Sequence, residues 1–326
     1  MEHLRLIIIG AGPAGYTAAI YALRSGLRPL LLEGTLPGGQ LTQTTLVGNY
    51  PGFPEGVEGF DLMDNMREQA ERLGLETRSA TCLRTDLSAR PLRLWLDDGG
   101  ELSADSLIIA TGASPRYLGI EGESRLRGKG VSACATCDGF FYRGKTVAVV
   151  GGGDTACEEA SYLSGLAEKV YVIVRKPFLR ASRIMQQRIL ENPKIEVLFE
   201  HNTLELLGEE RLEAARLVQR KGEKDEREYT LPIDGFFLAI GHKPNSEPFL
   251  PWLPTDGEGF IQTEWGTTRT SLGGVFAAGD VADPRYRQAV IAASSGAIAA
   301  IEAERYLNSS VGCNPRLSIL STSGTF

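Results

Sequence analysis

Cys134 and Cys137, three positions apart and followed at once by Asp138, are the residues of this chain whose types and spacing best suit chemistry. Thiols at that spacing can close a small disulfide ring, and a neighbour that lowers one thiol's pKa makes it a nucleophile for exchange. The adjoining carboxylate has a use in the same chemistry, because a departing thiolate must be protonated as exchange proceeds. A zinc site would need four ligands, yet no second pair of this spacing exists and His3, His201 and His242 are scattered. No metal is expected.

Two glycine-rich loops supply a second kind of chemistry. Gly10, Gly12 and Gly15, with Ala11, Pro13 and Ala14 between them, form a G-x-G-x-x-G pattern. The first glycine allows a tight turn, the second lets the backbone approach a pyrophosphate, and the third packs helix on strand. Glu33, about twenty residues on, can accept hydrogen bonds from a ribose diol. Gly151, Gly152 and Gly153, followed by Asp154, Thr155 and Ala156, repeat the anion-binding device. Here Arg175, Lys176 and Arg180 stand where Glu33 stood, and cations at that place pair a ribose 2′-phosphate that an acid would repel. The second loop therefore prefers NADP(H) to NAD(H).

The elements that position these residues are readable from apolar runs. Leu4 to Ile9 reads as a buried parallel strand halted by Gly10, Tyr16 to Ser25 as a helix, and Pro29 to Leu32 as a second strand. Thr146 to Val150, Glu158 to Gly165 and Val170 to Val174 repeat that grammar about 140 residues later. Ser106 to Thr111 and Gly235 to Ile240 are apolar strands ending in similar turns, and they predict the places where the chain passes between domains. The expectation is an α/β fold of two Rossmann-like dinucleotide-binding domains, each three-layered (ββα), the second inserted into the first. Residues 1–113 plus 243–326 form the outer domain, with a tail at 308–326, and residues 114–242 form the inserted one carrying the dithiol.

Length and composition bound the rest. The chain has 326 residues, enough for two domains with their own cores, and 38 glycines. A formal charge of -7 opposes unguided binding to nucleic acid or anionic lipid. The opening apolar run is only about seven residues long, too short for a membrane span or a signal-peptide core. Five cysteines, with Cys82, Cys157 and Cys313 beside the pair, are unlike a secreted disulfide framework. A cytoplasmic protein without nucleic-acid or membrane partners is expected.

The run Gly130-Val-Ser-Ala-Cys134-Ala-Thr-Cys137-Asp138-Gly-Phe-Phe-Tyr142 resembles the active-site segment of the low-molecular-weight thioredoxin reductases, and the likeness extends from about Leu4 to Leu307. Segments containing Gly39, Gln40 and Leu41, then Asn49, then Thr111 and Gly112, and then Gly279 and Asp280 look like the FAD-contacting pieces of such flavoenzymes. The resemblance implies that Asp280 holds the ribityl chain and that Arg287, Gln288 and Ala289 lie near the flavin at a helix start. It further implies that Cys137 faces the flavin, that Cys134 attacks the thioredoxin disulfide, and that Asp138 serves as acid and base. FAD and NADPH are the implied cofactors, thioredoxin or a similar small disulfide protein the partner, and a homodimer the assembly.

Two departures from the family pattern open an alternative. The family reads His-Arg-Arg-x-x-x-Arg where this chain has Val174, Arg175, Lys176 and Arg180, and lysine lacks arginine's bidentate fork, so 2′-phosphate affinity should weaken. Beyond Leu307 the resemblance fades into a tail ending in Phe326. Thioredoxin-reductase-like ferredoxin-NADP reductases use C-terminal aromatics to stack on the isoalloxazine. Phe326 in that role would leave a disulfide oxidoreductase fed by ferredoxin, another flavoprotein or an unknown donor.

Overall fold

A computed structural model describes residues 1–44 and 46–311 of the chain, so Cys313 and Phe326 lie outside the described residues. Two compact units are present, Met1–Ser114 with Lys243 onward, and Pro115–His242. The chain passes between them twice, through short strands Ala113–Pro115 and His242–Pro244 that pair with one another.

In the first unit Glu2–Ile9 is the central strand, parallel to Leu30–Leu32 on one side and to Glu101–Ile109 on the other. Alternation of side chains sends Leu6 and Ile8 into one core and Ile7 and Ile9 into another. Helices Pro13–Arg24, Gly59–Arg72 and Ala289–Val311 cover the first face. Strands Cys82–Asp86 and Leu92–Leu96 contribute to the second. The strand read as starting at Ser106 starts at Glu101. Its front half runs antiparallel to Leu92–Leu96, whereas Leu107 to Ile109 pair in parallel with Val275–Ala277.

The second unit has three layers. A parallel sheet in the order Val131–Ser132, Gly235–Leu238, Thr146–Val150, Lys169–Val174 and Ile195–Phe199 lies in the middle. Val147, Val149, Val170 and Val172 face helices Asp154–Ser164 and Arg183–Leu190. Ala148, Val150, Ile173 and Phe236 face an antiparallel sheet built from His201–Leu207, Ala214–Gln219 and Arg227–Pro232. Apolar side chains are therefore buried on both faces of the middle sheet, as its continuous apolar runs require.

Candidate active site and nucleotide loops

Cys134 and Cys137 are joined by a disulfide with their Cα atoms 5.3 Å apart. Cys134 has extended backbone and caps a single helical turn, Ala135–Asp138, its Sγ accepting the N–H of Cys137 at 3.2 Å. Ser132 fixes the entry to that turn by accepting the Cys134 N–H on its hydroxyl at 3.0 Å. Ala135 is buried against helix Asp154–Ser164. A Cβ on Gly139, the residue after the turn, would come within 3.0 Å of Leu163 and Tyr162, so glycine lets the dithiol segment lie close to that helix. Tyr142 closes the segment by standing edge-on to Phe237, with ring centroids 5.2 Å apart.

Burial pushes the Asp138 carboxyl above the ordinary carboxylate range, and a hydrogen bond with Ser132 pulls the other way. A carboxyl held in that state keeps a proton to higher pH than an exposed aspartate, which suits a group that gives a proton to a leaving thiolate. Cys82 and Cys157 are unlike the pair. Both are buried, and burial pushes their thiols up to about 12 and about 11, leaving them inert.

The first glycine loop joins the central strand to helix Pro13–Arg24, with Pro13 in the first turn and no acidic side chain there to occupy its free N–H groups. Gly10 has φ +112°, and a Cβ on it would meet the Ala110 carbonyl oxygen at 2.2 Å. On Gly15 it would meet the Gly10 oxygen at 1.8 Å, whereas Gly12 faces open space. Ala14, buried between them, would touch a Cβ on Gly279 at 2.9 Å. Gly39 lies across the loop, its notional Cβ 3.5 Å from the Gly12 Cα, and Gly38 donates to the Ala11 carbonyl at 3.1 Å. Glu33 directly follows the next strand, Leu30–Leu32, its N–H donating to the Arg78 carbonyl.

Other predicted positions of the first unit fall into two groups. Gln40 donates its amide to the Ala113 carbonyl, beside the turn in which Thr111 and Gly112 are bonded to Asn245. Leu41 is in the same short helix as Gln40 and packs on the core. In the second group, Asn49 donates to Gln288 at 3.3 Å, joining two segments read separately from the sequence. Arg287 adopts a left-handed φ of 48° just before Ala289 begins the long helix. Asp283, which sequence reasoning missed, accepts the N–H groups of Arg285, Tyr286 and Arg287 and so shapes this turn. Asp280 is pushed up to about 6, first by burial and then by Asp283, and its carboxylate accepts no hydrogen bond from any described residue. An unpartnered carboxylate, an open Gly12 and an uncapped helix start together fit a dinucleotide with hydroxyls.

In the second unit Gly151 has φ +147°, and a Cβ on it would meet the Ala239 carbonyl at 2.4 Å, while Gly153 faces open space. Asp154 and Thr155 open helix Asp154–Ser164. Arg175, Lys176 and Arg180 are exposed and form no ion pair among the described residues. Three free cations next to an anion-binding loop fit a nucleotide with a further phosphate.

Residues 4–296 match the family described as pyridine nucleotide-disulphide oxidoreductase. The thioredoxin reductase of Rickettsia prowazekii is 48% identical over 309 residues, covering 93% of this chain and 98% of that protein. The chain belongs to the thioredoxin reductase family. Thioredoxin reductase 1 of Saccharomyces cerevisiae is 46% identical, with 95% of this chain and 99% of that one covered. The solved thioredoxin reductase from Giardia duodenalis is 40% identical with a TM-score of 0.89, covering 94% of this chain and 100% of that one. The chain is accordingly a flavoprotein disulfide oxidoreductase of α/β fold, in a family that depends on FAD and NADPH. No helix among the described residues is long and apolar enough to cross a membrane.

Proposed function

We propose that this chain is a thioredoxin-disulfide reductase in which reducing equivalents from NADPH reach the Cys134–Cys137 pair by way of FAD and pass on to thioredoxin. The observation that carries the reading is the closed Cys134–Cys137 disulfide, followed directly in the chain by Asp138, whose carboxyl burial raises above the ordinary carboxylate range. When bound, NADPH supplies the hydride and FAD relays the electron pair. Two electrons and two protons, one from the hydride and one from solvent, would open the disulfide to two thiols. The Cys134 thiolate then attacks one sulfur of the partner's disulfide, forming a mixed disulfide and expelling the other sulfur. Cys137 attacks the Cys134 sulfur of that bridge and restores the ring, while Asp138 protonates the departing thiolate and takes the proton back as the next thiol ionises.

The first unit is the FAD domain in this reading. Gly10, Gly12, Pro13, Ala14 and Gly15 cradle the pyrophosphate, Glu33 takes the ribose, and Gly39, Gln40, Leu41, Asn49, Thr111, Gly112, Gly279, Asp280, Arg287, Gln288 and Ala289 complete the site. The second unit takes NADPH on Gly151, Gly153 and Thr155, with Arg175, Lys176 and Arg180 at the 2′-phosphate. Phe140 and Phe141 follow the dithiol directly and are 63% and 41% exposed, a pair of aromatic rings suited to hold a small protein partner. A homodimer is supported by the long C-terminal helix, where Val290, Ile291, Ile298 and Ile301 are all exposed. A cytoplasmic location is supported by the scarcity of cysteines outside the pair.

The deciding experiment is anaerobic addition of NADPH to the oxidised holoenzyme. Bleaching of the flavin band, followed by its recovery on adding oxidised thioredoxin, is the expected result. Failure to bleach, with dithionite still able to reduce the flavin, would overturn NADPH as donor. Recovery at the normal rate in a C137S protein would overturn the dithiol assignment.

A further inference from the structure

Asp154 presents a puzzle at the second nucleotide loop. A carboxylate in the first turn of helix Asp154–Ser164 complements the helix dipole, yet it stands where a cofactor's pyrophosphate is to be received and repels it. Its hydrogen bonds explain its presence. The carboxylate Oδ1 accepts the Ser182 N–H at 2.9 Å, and the Ser182 bonds hold the Asp154 carboxyl below the usual carboxylate range.

That bond is one of three. The N–H groups of Arg180 and Ala181 donate to the Gly152 carbonyl at 2.6 and 3.2 Å. Residues 180–182 are thereby laid across the glycine loop from Gly152 to Asp154. Gln186 secures the same stretch from the other side, its amide donating to the Ala181 carbonyl at 2.7 Å. Arg180, whose own N–H is in this ladder, is one of the three unpaired cations, and Arg175 and Lys176 lie at the start of the same connection between strand Lys169–Val174 and helix Arg183–Leu190. The ladder thus ties the cation-bearing loop to the anion-binding loop.

We infer that Asp154, read from the sequence as part of the anion-binding loop, is instead a positioning residue that sets the spacing between the pyrophosphate-binding loop and the 2′-phosphate cations, and so selects NADP(H) over NAD(H) without touching the cofactor. The inference rests on the second unit being the NADPH domain. Its sign is distinctive. Asn at 154 keeps an oxygen acceptor for Ser182 but sheds the negative charge, so D154N holds the loop and receives phosphate at least as well. Ala at 154 releases the loop. Ser182 has φ -58°, which proline accepts, so S182P removes the donor from the opposite side while leaving Asp154 in place. S182A keeps the N–H but sheds the hydroxyl's own bond to the carboxylate, so it is the milder variant of the two.

The test is calorimetric titration of the oxidised, FAD-loaded protein with 2′,5′-ADP and with 5′-AMP, which differ in the 2′-phosphate. D154A and S182P are expected to weaken 2′,5′-ADP about tenfold, the loss equivalent to ~1.4 kcal/mol, while 5′-AMP stays within about twofold. D154N is expected to bind 2′,5′-ADP as tightly as the natural chain or more tightly, and S182A to fall between the natural chain and S182P. Unchanged ratios in both D154A and S182P, or a D154N loss as large as that of D154A, overturn the inference. A natural chain with no preference for 2′,5′-ADP overturns the NADPH reading itself, a result separable from any effect of Asp154. Melting temperature and the flavin spectrum distinguish a released loop, which leaves both in place, from an unfolded domain.

Discussion

Asp138 is where a single residue decides most. Its carboxyl is raised by burial, so the fold favours the protonated form and disfavours the charged one. Relative to an unfolded chain, that contribution to stability is present below the ordinary aspartate pKa and is lost as pH rises through the raised value. D138N, neutral at every pH, should therefore melt no lower than the natural protein at neutral pH. Activity should behave otherwise. Without a group to protonate the departing thiolate, reduction of thioredoxin should slow by about 10²-fold or more, while bleaching of the flavin by NADPH is unaffected. The natural enzyme should also show an alkaline fall in the thiol-exchange step, displaced above the usual carboxylate range, that D138N lacks. Stopped-flow measurement of the two half-reactions across pH checks both, and equal slowing of both halves would show that the substitution acts through structure instead.

At the scale of elements, the glycine loops make opposite predictions from adjacent positions. G15A drives a Cβ to 1.8 Å from the Gly10 oxygen, a rigid backbone contact, so the first unit should lose stability whether or not FAD is present. G12A meets nothing within 4 Å, so the flavin-free chain should melt as before while FAD retention falls, because the added methyl occupies the approach of the pyrophosphate. Thermal melts with and without FAD check the pair. These loops were legible in the sequence because strand, turn and helix follow one another within about thirty residues and each leaves a local pattern. The dithiol and Asp138 were legible for the same reason. Partners brought together from afar were not: Ser182 meets Asp154 across 28 residues, and Asn245 meets the Thr111 carbonyl across 134. The strand at Glu101 to Ala104 was also missed, since its partner Leu92–Leu96 is an antiparallel neighbour and the continuous apolar run that marks a parallel strand begins only later. Strands at 201–232 were not located individually, and the middle of His201–Leu207 is only half-buried, which leaves little alternation to read.

At the scale of the whole molecule, the two glycine loops differ in the charge set beside them, and in the proposed function that difference partitions the cofactors. Glu33 beside the first favours a ribose diol, whereas Arg175, Lys176 and Arg180 beside the second favour a phosphate. Neither feature explains the outer face of helix Ala289–Val311. Val290, Ile291, Ile298 and Ile301 are between 37% and 40% exposed on a helix whose other side is buried in the core. Positions 290, 291, 294, 298 and 301 follow the three- and four-residue spacing of one helical stripe, in which Ser294 is the one polar member between the exposed Val290–Ile291 and Ile298–Ile301 pairs. An apolar stripe on a core helix suits an interface, and in the proposed homodimer a second copy of the chain would meet it with the same stripe by two-fold symmetry. If the proposed dimer forms there, replacing Ile298 and Ile301 together by arginine should convert it to a monomer by sedimentation. Flavin content should be unchanged, because both side chains point away from the buried face that packs on helix Pro13–Arg24. A double variant that sediments as a dimer would place the subunit contact elsewhere on the molecule, and one that also loses its flavin would show that this face supports the FAD domain from within.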